Sequence, residues 1–152
     1  MRRSKTAYFL LVAVVTFGLD QYIKYLILEG MRWHSECLSI TFTLNTGVAF
    51  SMFSFVGEYL KFIQLAIVAA GLGYVIYEKL MPRYWLPVAI LLGAALANIL
   101  DRFVHGGVVD YVYWHCGFDF AIFNFADVMI DVAVAMMLLI HFNLFPFRKK
   151  TV

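Results

Sequence analysis

The chain has 152 residues, of which 63% are hydrophobic and 14% charged, with a mean hydropathy of +0.81. That balance excludes an ordinary water-soluble domain and predicts one domain made largely of membrane-spanning helix. The net charge of +2 offers no support for a nucleic-acid partner.

The first apolar run, Ala7 to Leu28, follows Met-Arg-Arg-Ser-Lys. It is too long for a secretory signal and lacks a small-residue cleavage pattern, so it reads as a retained helix. From Leu38 to Asn45, Leu38, Ile40, Phe42 and Leu44 alternate with Ser39, Thr41, Thr43 and Asn45, the period of a strand with one wet face. Asn45-Thr46-Gly47 then signals a turn, and the loop Met52 to Glu58, with Gly57, is placed to act as a lid. Further apolar runs span Tyr59 to Tyr77, Tyr84 to Leu100 and Ala121 to Leu144. Between the last two, Gly106-Gly107 introduces a second strand candidate, Val108 to Tyr113. Neither strand would stand alone, so a small sheet resting on the helix ends is expected.

Each apolar run is close to the ~20 residues that cross a hydrocarbon core. Four crossings would put eight of the 12 Lys and Arg residues on one side: Arg2, Arg3, Lys5, Lys79, Arg83, Arg148, Lys149 and Lys150. Basic residues collect at cytoplasmic ends. Both termini are therefore expected in the cytoplasm, with segments 29–58 and 101–120 outside.

The remaining polar residues then fall at one level near the outer boundary: Asp20 and Lys24 on the first helix, Asn98, Asp101 and Arg102 at the end of the third, Asn124 and Asp127 at the start of the fourth. Asp20 with Lys24, and Asn98 with Arg102, have the i,i+4 spacing of pairs on one helix face. Asp110 and Asp127 frame the last apolar run. A carboxylate inside a membrane segment costs about 2.5–3.5 kcal/mol, so such groups are read first as functional. Two carboxylates close together share a proton, which suits acid and base catalysis. Asp101 is a rival for that pair, although its neighbour Arg102 favours the ionised form. Asp131, one turn past Asp127, is expected to hydrogen-bond within the bundle.

Asp20-Gln21 with Lys24, Asn45-Thr46-Gly47-Val48-Ala49-Phe50, Asn98-Ile99-Leu100-Asp101-Arg102, Val108-Val109-Asp110-Tyr111 and Phe123-Asn124-Phe125-Ala126-Asp127 together resemble the ordered motifs of bacterial lipoprotein signal peptidase, signal peptidase II. The resemblance spans nearly the whole chain. It departs at Gly93-Ala94-Ala95-Leu96-Ala97-Asn98, where the family carries a glycine pair and then Gly-Asn, so each alanine adds a methyl.

The resemblance implies an aspartic endopeptidase of the bacterial inner membrane. It would remove the signal peptide from diacylglyceryl-modified prolipoproteins, on the amino side of the lipidated cysteine. Asp110 and Asp127 would be the catalytic pair. Asn45, Gly47, Asn98, Asp101, Arg102 and Asn124 would orient the acids or hold substrate, and Asp20 and Lys24 would brace the first helix. No metal or other cofactor is implied. The partners would be prolipoprotein substrates, membrane lipids and globomycin-type cyclic peptide inhibitors, with the enzyme acting as a monomer.

Two other readings compete. A small proton- or ion-coupled transporter subunit would use Asp20, Lys24, Asp101, Asp127 and Asp131 as a relay, and would need acids spread through the membrane thickness. A non-enzymatic assembly protein would use the same groups as interhelical glue. His34, His105, His115 and His141 show no metal-ligand spacing. Cys37 and Cys116 both fall in outward segments, where a disulfide and free thiols are both allowed. Trp33, Trp85 and Trp114 read as an interfacial belt.

Overall fold

The computed structural model describes residues 3–47 and 54–144. Long apolar runs form the helices α1 (Arg3–Leu28), α2 (Leu60–Tyr77) and α3 (Met81–Val104), the last with Pro87 in its interior, and a shorter α4 covers Phe125–His141. An irregular 3-10 segment, Ser54–Tyr59, precedes α2 and is interrupted at Gly57, whose φ is 52°. The strands β1 (Trp33–His34), β2 (Leu38–Asn45) and β3 (Val108–Trp114) form one antiparallel sheet in that order.

Helix α3 is the central element, packed between α1 and α4, while α2 touches mainly α3 and leaves most of its surface to the surroundings. The approach of α1 to α3 is set by Gly93, where a Cβ would collide with the carbonyl oxygen of Ala13 and come within 3.0 Å of Thr16 Cβ. Without a hydrophobic drive between helices in lipid, such close backbone contact supplies the association energy. One turn on, Ala94 and Ala97 pack with Ala126 of α4, all three fully buried. The methyls that distinguish this stretch from the Gly-rich pattern are thus absorbed in the α3–α4 seam.

The sheet sits on the helix ends: Val109 and Tyr111 of β3 pack on Ile27 of α1, flanked by Ile40 and Phe125. Thr43 lies opposite Asp110 and Asn45 opposite Val108, with an irregularity between Ile40 and Thr43. Gly107 lets β3 begin close to β2, because a Cβ there would lie 2.9 Å from the Asn45 carbonyl oxygen. A disulfide between Cys37 and Cys116 joins the start of β2 to the residues after β3, resolving the two alternatives for these cysteines.

Several boundaries differ from the sequence-based expectation. Helix α3 continues to Val104, carrying Asp101 and Arg102 inside its last turns. Helix α4 begins at Phe125 and not at Ala121, because Phe123 bridges to Val112 in both directions, at 2.8 and 3.1 Å, and extends the sheet. Apolar content alone does not separate such a strand-like approach from helix. The short β1 was not expected. Among the described residues three helices, 5–28, 57–77 and 81–104, are long and apolar enough to cross a membrane. With 17 residues, α4 is about 26 Å long and falls just short of that length. Arg2, Val48-Ala49-Phe50, Met52 of the expected lid, and Arg148, Lys149 and Lys150 lie outside the described residues.

Candidate active site

The N-terminus of α4 is the hinge of the site. A helix start leaves its first amides without intrahelical partners, and here each finds one from a different part of the chain. Phe125 N donates to the Tyr111 hydroxyl at 3.0 Å, Ala126 N to Asp20 Oδ1 at 2.8 Å, and Asp127 N to Asn124 Oδ1 at 2.9 Å. Asp127 Oδ2 in turn accepts from Asn124 N at 3.0 Å, completing a capping box. So α1, β3 and α4 are locked together at Asp127.

Asn124, fully buried, links the two candidate acids. Its Nδ2 donates to Asp110 Oδ1 at 2.7 Å, while its Oδ1 and backbone N hold Asp127. Asp110 Oδ2 accepts from Asn45 Nδ2 at 2.9 Å, across the β2–β3 pair. Asp127 Oδ1 accepts from Asn98 Nδ2 at 2.9 Å. Both carboxylates line one cleft of about 600 Å³, together with Asn45, Asn98, Arg102 and the apolar wall Phe120–Phe123. Asp110 is 2% exposed, and this burial pushes its carboxyl up from 3.8 to about 6. The neighbouring Asp127 charge pushes in the same direction, against the amides of Asn45 and Asn124 and the Lys24 charge. Burial also holds the Tyr111 phenol above its ordinary range, so it stays protonated as it accepts from Phe125.

Behind the cleft lies an ion network. The Lys24 ammonium is 2.7 Å from both Asp20 Oδ2 and Asp101 Oδ2, and donates to Asn98 Oδ1 at 2.8 Å. Asp101 accepts from Gln21 Nε2 at 2.9 Å and from Val109 N at 3.1 Å, which ties α3 to the residue before Asp110. The cation beside Asp101 is therefore Lys24 and not its chain neighbour Arg102. Nor do Asn98 and Arg102 pair. Asn98 is taken up by Lys24, Asn124 and Asp127, whereas the longer Arg102 side chain reaches Gln64 Oε1 at 2.8 Å and the carbonyls of Asn45 and Gly47. All ten residues singled out in the sequence converge on this assembly.

Gln21 and Gln64 were not assigned roles from sequence, although a Gln set among apolar residues early in α2 is itself a signal. Asp131 does not hydrogen-bond within the bundle as expected. It is exposed, lines the cleft and has no hydrogen-bond partner among the described residues. No three His, Cys, Asp or Glu side chains converge as a metal-ligand set among the described residues. Asp20, Asp101 and Asp127 gather at one level instead of spreading across the bundle, so the relay reading finds no support here.

The model of the family described as signal peptidase (SPase) II matches residues 12–143. The chain belongs to the signal peptidase II family. The lipoprotein signal peptidase of Wolinella succinogenes is 60% identical over 126 residues, covering 82% of this chain and 86% of its own length. That of Sulfurimonas denitrificans is 52% identical over 144 residues, covering 92% and 94%, and that of Campylobacter jejuni strain 81-176 is 48% identical, covering 94% and 91%. Two solved structures described as bacterial membrane enzymes, determined by the in meso method, share the fold. One has a TM-score of 0.79 at 26% identity, covering 96% of this chain and 94% of the other, and the second 0.74 at 27%, covering 93% and 95%. As a signal peptidase II family member, the chain is a membrane protease of lipoprotein processing.

Proposed function

We propose that this protein is an intramembrane aspartic endopeptidase that cuts diacylglyceryl-modified prolipoproteins on the amino side of the lipidated cysteine, with Asp110 and Asp127 as the catalytic pair. The observation that carries the aspartic mechanism is Asn124, which holds a carboxylate on either side of itself at one end of a cleft that both line. The charged member takes a proton from water as the water attacks the scissile carbonyl, and the protonated member donates to the carbonyl oxygen. With roles exchanged, a proton then reaches the leaving amine. The titration belongs to the pair and not to either residue. Asn45, Asn98 and Asn124 aim the acids, Arg102 fixes the turn carbonyls of Asn45 and Gly47, and Asp20, Lys24 and Asp101 anchor α1 and β3 behind them.

In this reading the whole chain is a single membrane-embedded peptidase domain. Helix α4 is the fourth crossing, both termini are cytoplasmic, and the dyad lies near the outer surface of the bacterial inner membrane. The signal helix arrives from the lipid and its diacylglyceryl chains remain there. Globomycin-type cyclic peptides would insert a polar group between the two acids, and the enzyme would act as a monomer. The loop Met52 to Glu58, with Gly57, would move over the site as a lid; Met52 and Phe53 lie outside the described residues.

The test is cleavage of a diacylglyceryl-modified prolipoprotein by the purified protein in detergent, with and without a chelator, beside Asp110→Asn and Asp127→Asn. Chelator-resistant cleavage by the wild type, lost in both variants, is the expected result. Cleavage retained in both variants, or an uncut substrate with the wild type, would remove the dyad assignment.

A further inference from the structure

We infer that Asp131 reads the substrate: its carboxylate accepts a hydrogen bond from a backbone N–H of the signal peptide near the third residue before the lipidated cysteine. The inference rests on the peptidase reading above. Asp131 follows Asp127 by four residues, so both project from the same face of α4. It lines the cleft beside Val128, Ile130 and Val132, and these neighbours offer no acceptor side chain. Exposed in that wall and without a protein partner among the described residues, the carboxylate is open to a group that enters the cleft.

The chemistry of the substrate supplies one. A scissile peptide bond has to be unwound to be attacked, and unwinding frees backbone N–H groups that find no water in the hydrocarbon region. Helix α4 runs from the outer surface inward, as does the signal peptide when read backwards from its cysteine. Four helical residues advance about 6 Å, and an extended chain covers that distance in roughly two residues. With the scissile carbonyl at Asp127 and Asp110, Asp131 therefore stands level with the third residue before the cysteine. Asp131 is a specificity-determining residue, since it meets substrate away from the reacting atoms.

The test is a double-mutant cycle on kcat/KM. A diacylglyceryl-modified prolipoprotein peptide is compared with analogues in which single amides, at the second, third and fourth residues before the cysteine, are replaced by esters that lack the N–H. With the wild-type protein, one ester near the third residue should lower kcat/KM about tenfold, the size expected for one charge-assisted hydrogen bond, mainly through KM. Asp131→Leu should cut the parent peptide about tenfold less well and no longer distinguish that ester. Asp131→Asn, which keeps an acceptor oxygen, should fall between. A flat ester scan with the wild type overturns the inference whatever the variants do, and so does Asp131→Leu that still discriminates as the wild type does. If the wild type leaves the parent peptide uncut, the peptidase reading fails and this inference fails with it.

Discussion

Lys24→Met removes the buried cation between α1 and α3 while keeping the length and apolar stem of the side chain. Lys24 is 1% exposed, and its ammonium lies 2.7 Å from Asp20 Oδ2 and from Asp101 Oδ2. Removing one member of a buried ion pair costs about 3–5 kcal/mol, because the other charge is left without compensation. Here two carboxylates would face each other. Ala126 N still donates to Asp20, and Gln21 and Val109 N to Asp101, which absorbs part of the loss. The lower end, about 3 kcal/mol, is therefore expected, a change of roughly two decades in the unfolding equilibrium. Thermal and denaturant unfolding in detergent micelles would measure it. The triple variant Asp20→Asn, Lys24→Met, Asp101→Asn, which takes out all three charges, should recover most of the stability. Cleavage by Lys24→Met should fall as well, since Asp101 fixes Val109 next to Asp110. A loss of less than about 1 kcal/mol for Lys24→Met, or a triple variant no better than the single one, would refute the claim that this ion network holds the site.

Three further outcomes follow from the same structure. Asp110 is pushed from 3.8 to about 6 by burial, so the folded state holds a proton that the unfolded chain has already lost between those values. Its contribution is therefore intact below about pH 4 and lost as pH rises through 6, to the extent of about 3 kcal/mol. Unfolding of Asp110→Asn should lack that slope, and an unchanged slope would show that Asp110 does not carry it. Gly93→Val should destabilise by about 1–3 kcal/mol through collision with the Ala13 carbonyl. Gly71→Ala, with nothing within 4 Å of the new Cβ, should be neutral or slightly stabilising on the same unfolding measurement. Cys37→Ser with Cys116→Ser opens a bridge spanning 79 residues, for which chain entropy sets an upper value of about 4.5 kcal/mol. A reductant should lower the wild-type midpoint and leave that double variant unmoved.

What could be read from the sequence was whatever carries its signal locally. The bounds Leu38 to Asn45 match β2 residue for residue, but the faces do not: Phe42 and Leu44 are exposed and Ser39 is buried, because the polar side of the strand turns toward the site and its apolar side outward. The costly polar groups in apolar runs pointed to the site, and all of them meet there. Pairing was harder, because it depends on reach in three dimensions: Asp101 has Arg102 beside it in the chain but Lys24 beside it in space. The start of α4 was missed because Ala121 to Phe123 is as apolar as the helix it precedes, although Asn124 with Asp127 three residues on is a capping signal that marks where the helix begins. Asp131 was misjudged for a related reason, since helical spacing gives the face on which a residue lies but not whether a neighbour covers that face.

The capping of α4 by Asp20 and Tyr111 bears on how the protein is made. Asp20 and Lys24 are synthesised in the first helix, while Asp110, Asn124 and Asp127 belong to the last third of the chain. The partners of Asp20 thus include an amide that does not exist until Ala126 has been added. A nascent chain holding only the first three helices has the ion network of Asp20, Lys24 and Asp101 but lacks Asp110 and Asp127, so on the proposed mechanism proteolytic capacity arises only once the last helix is in place.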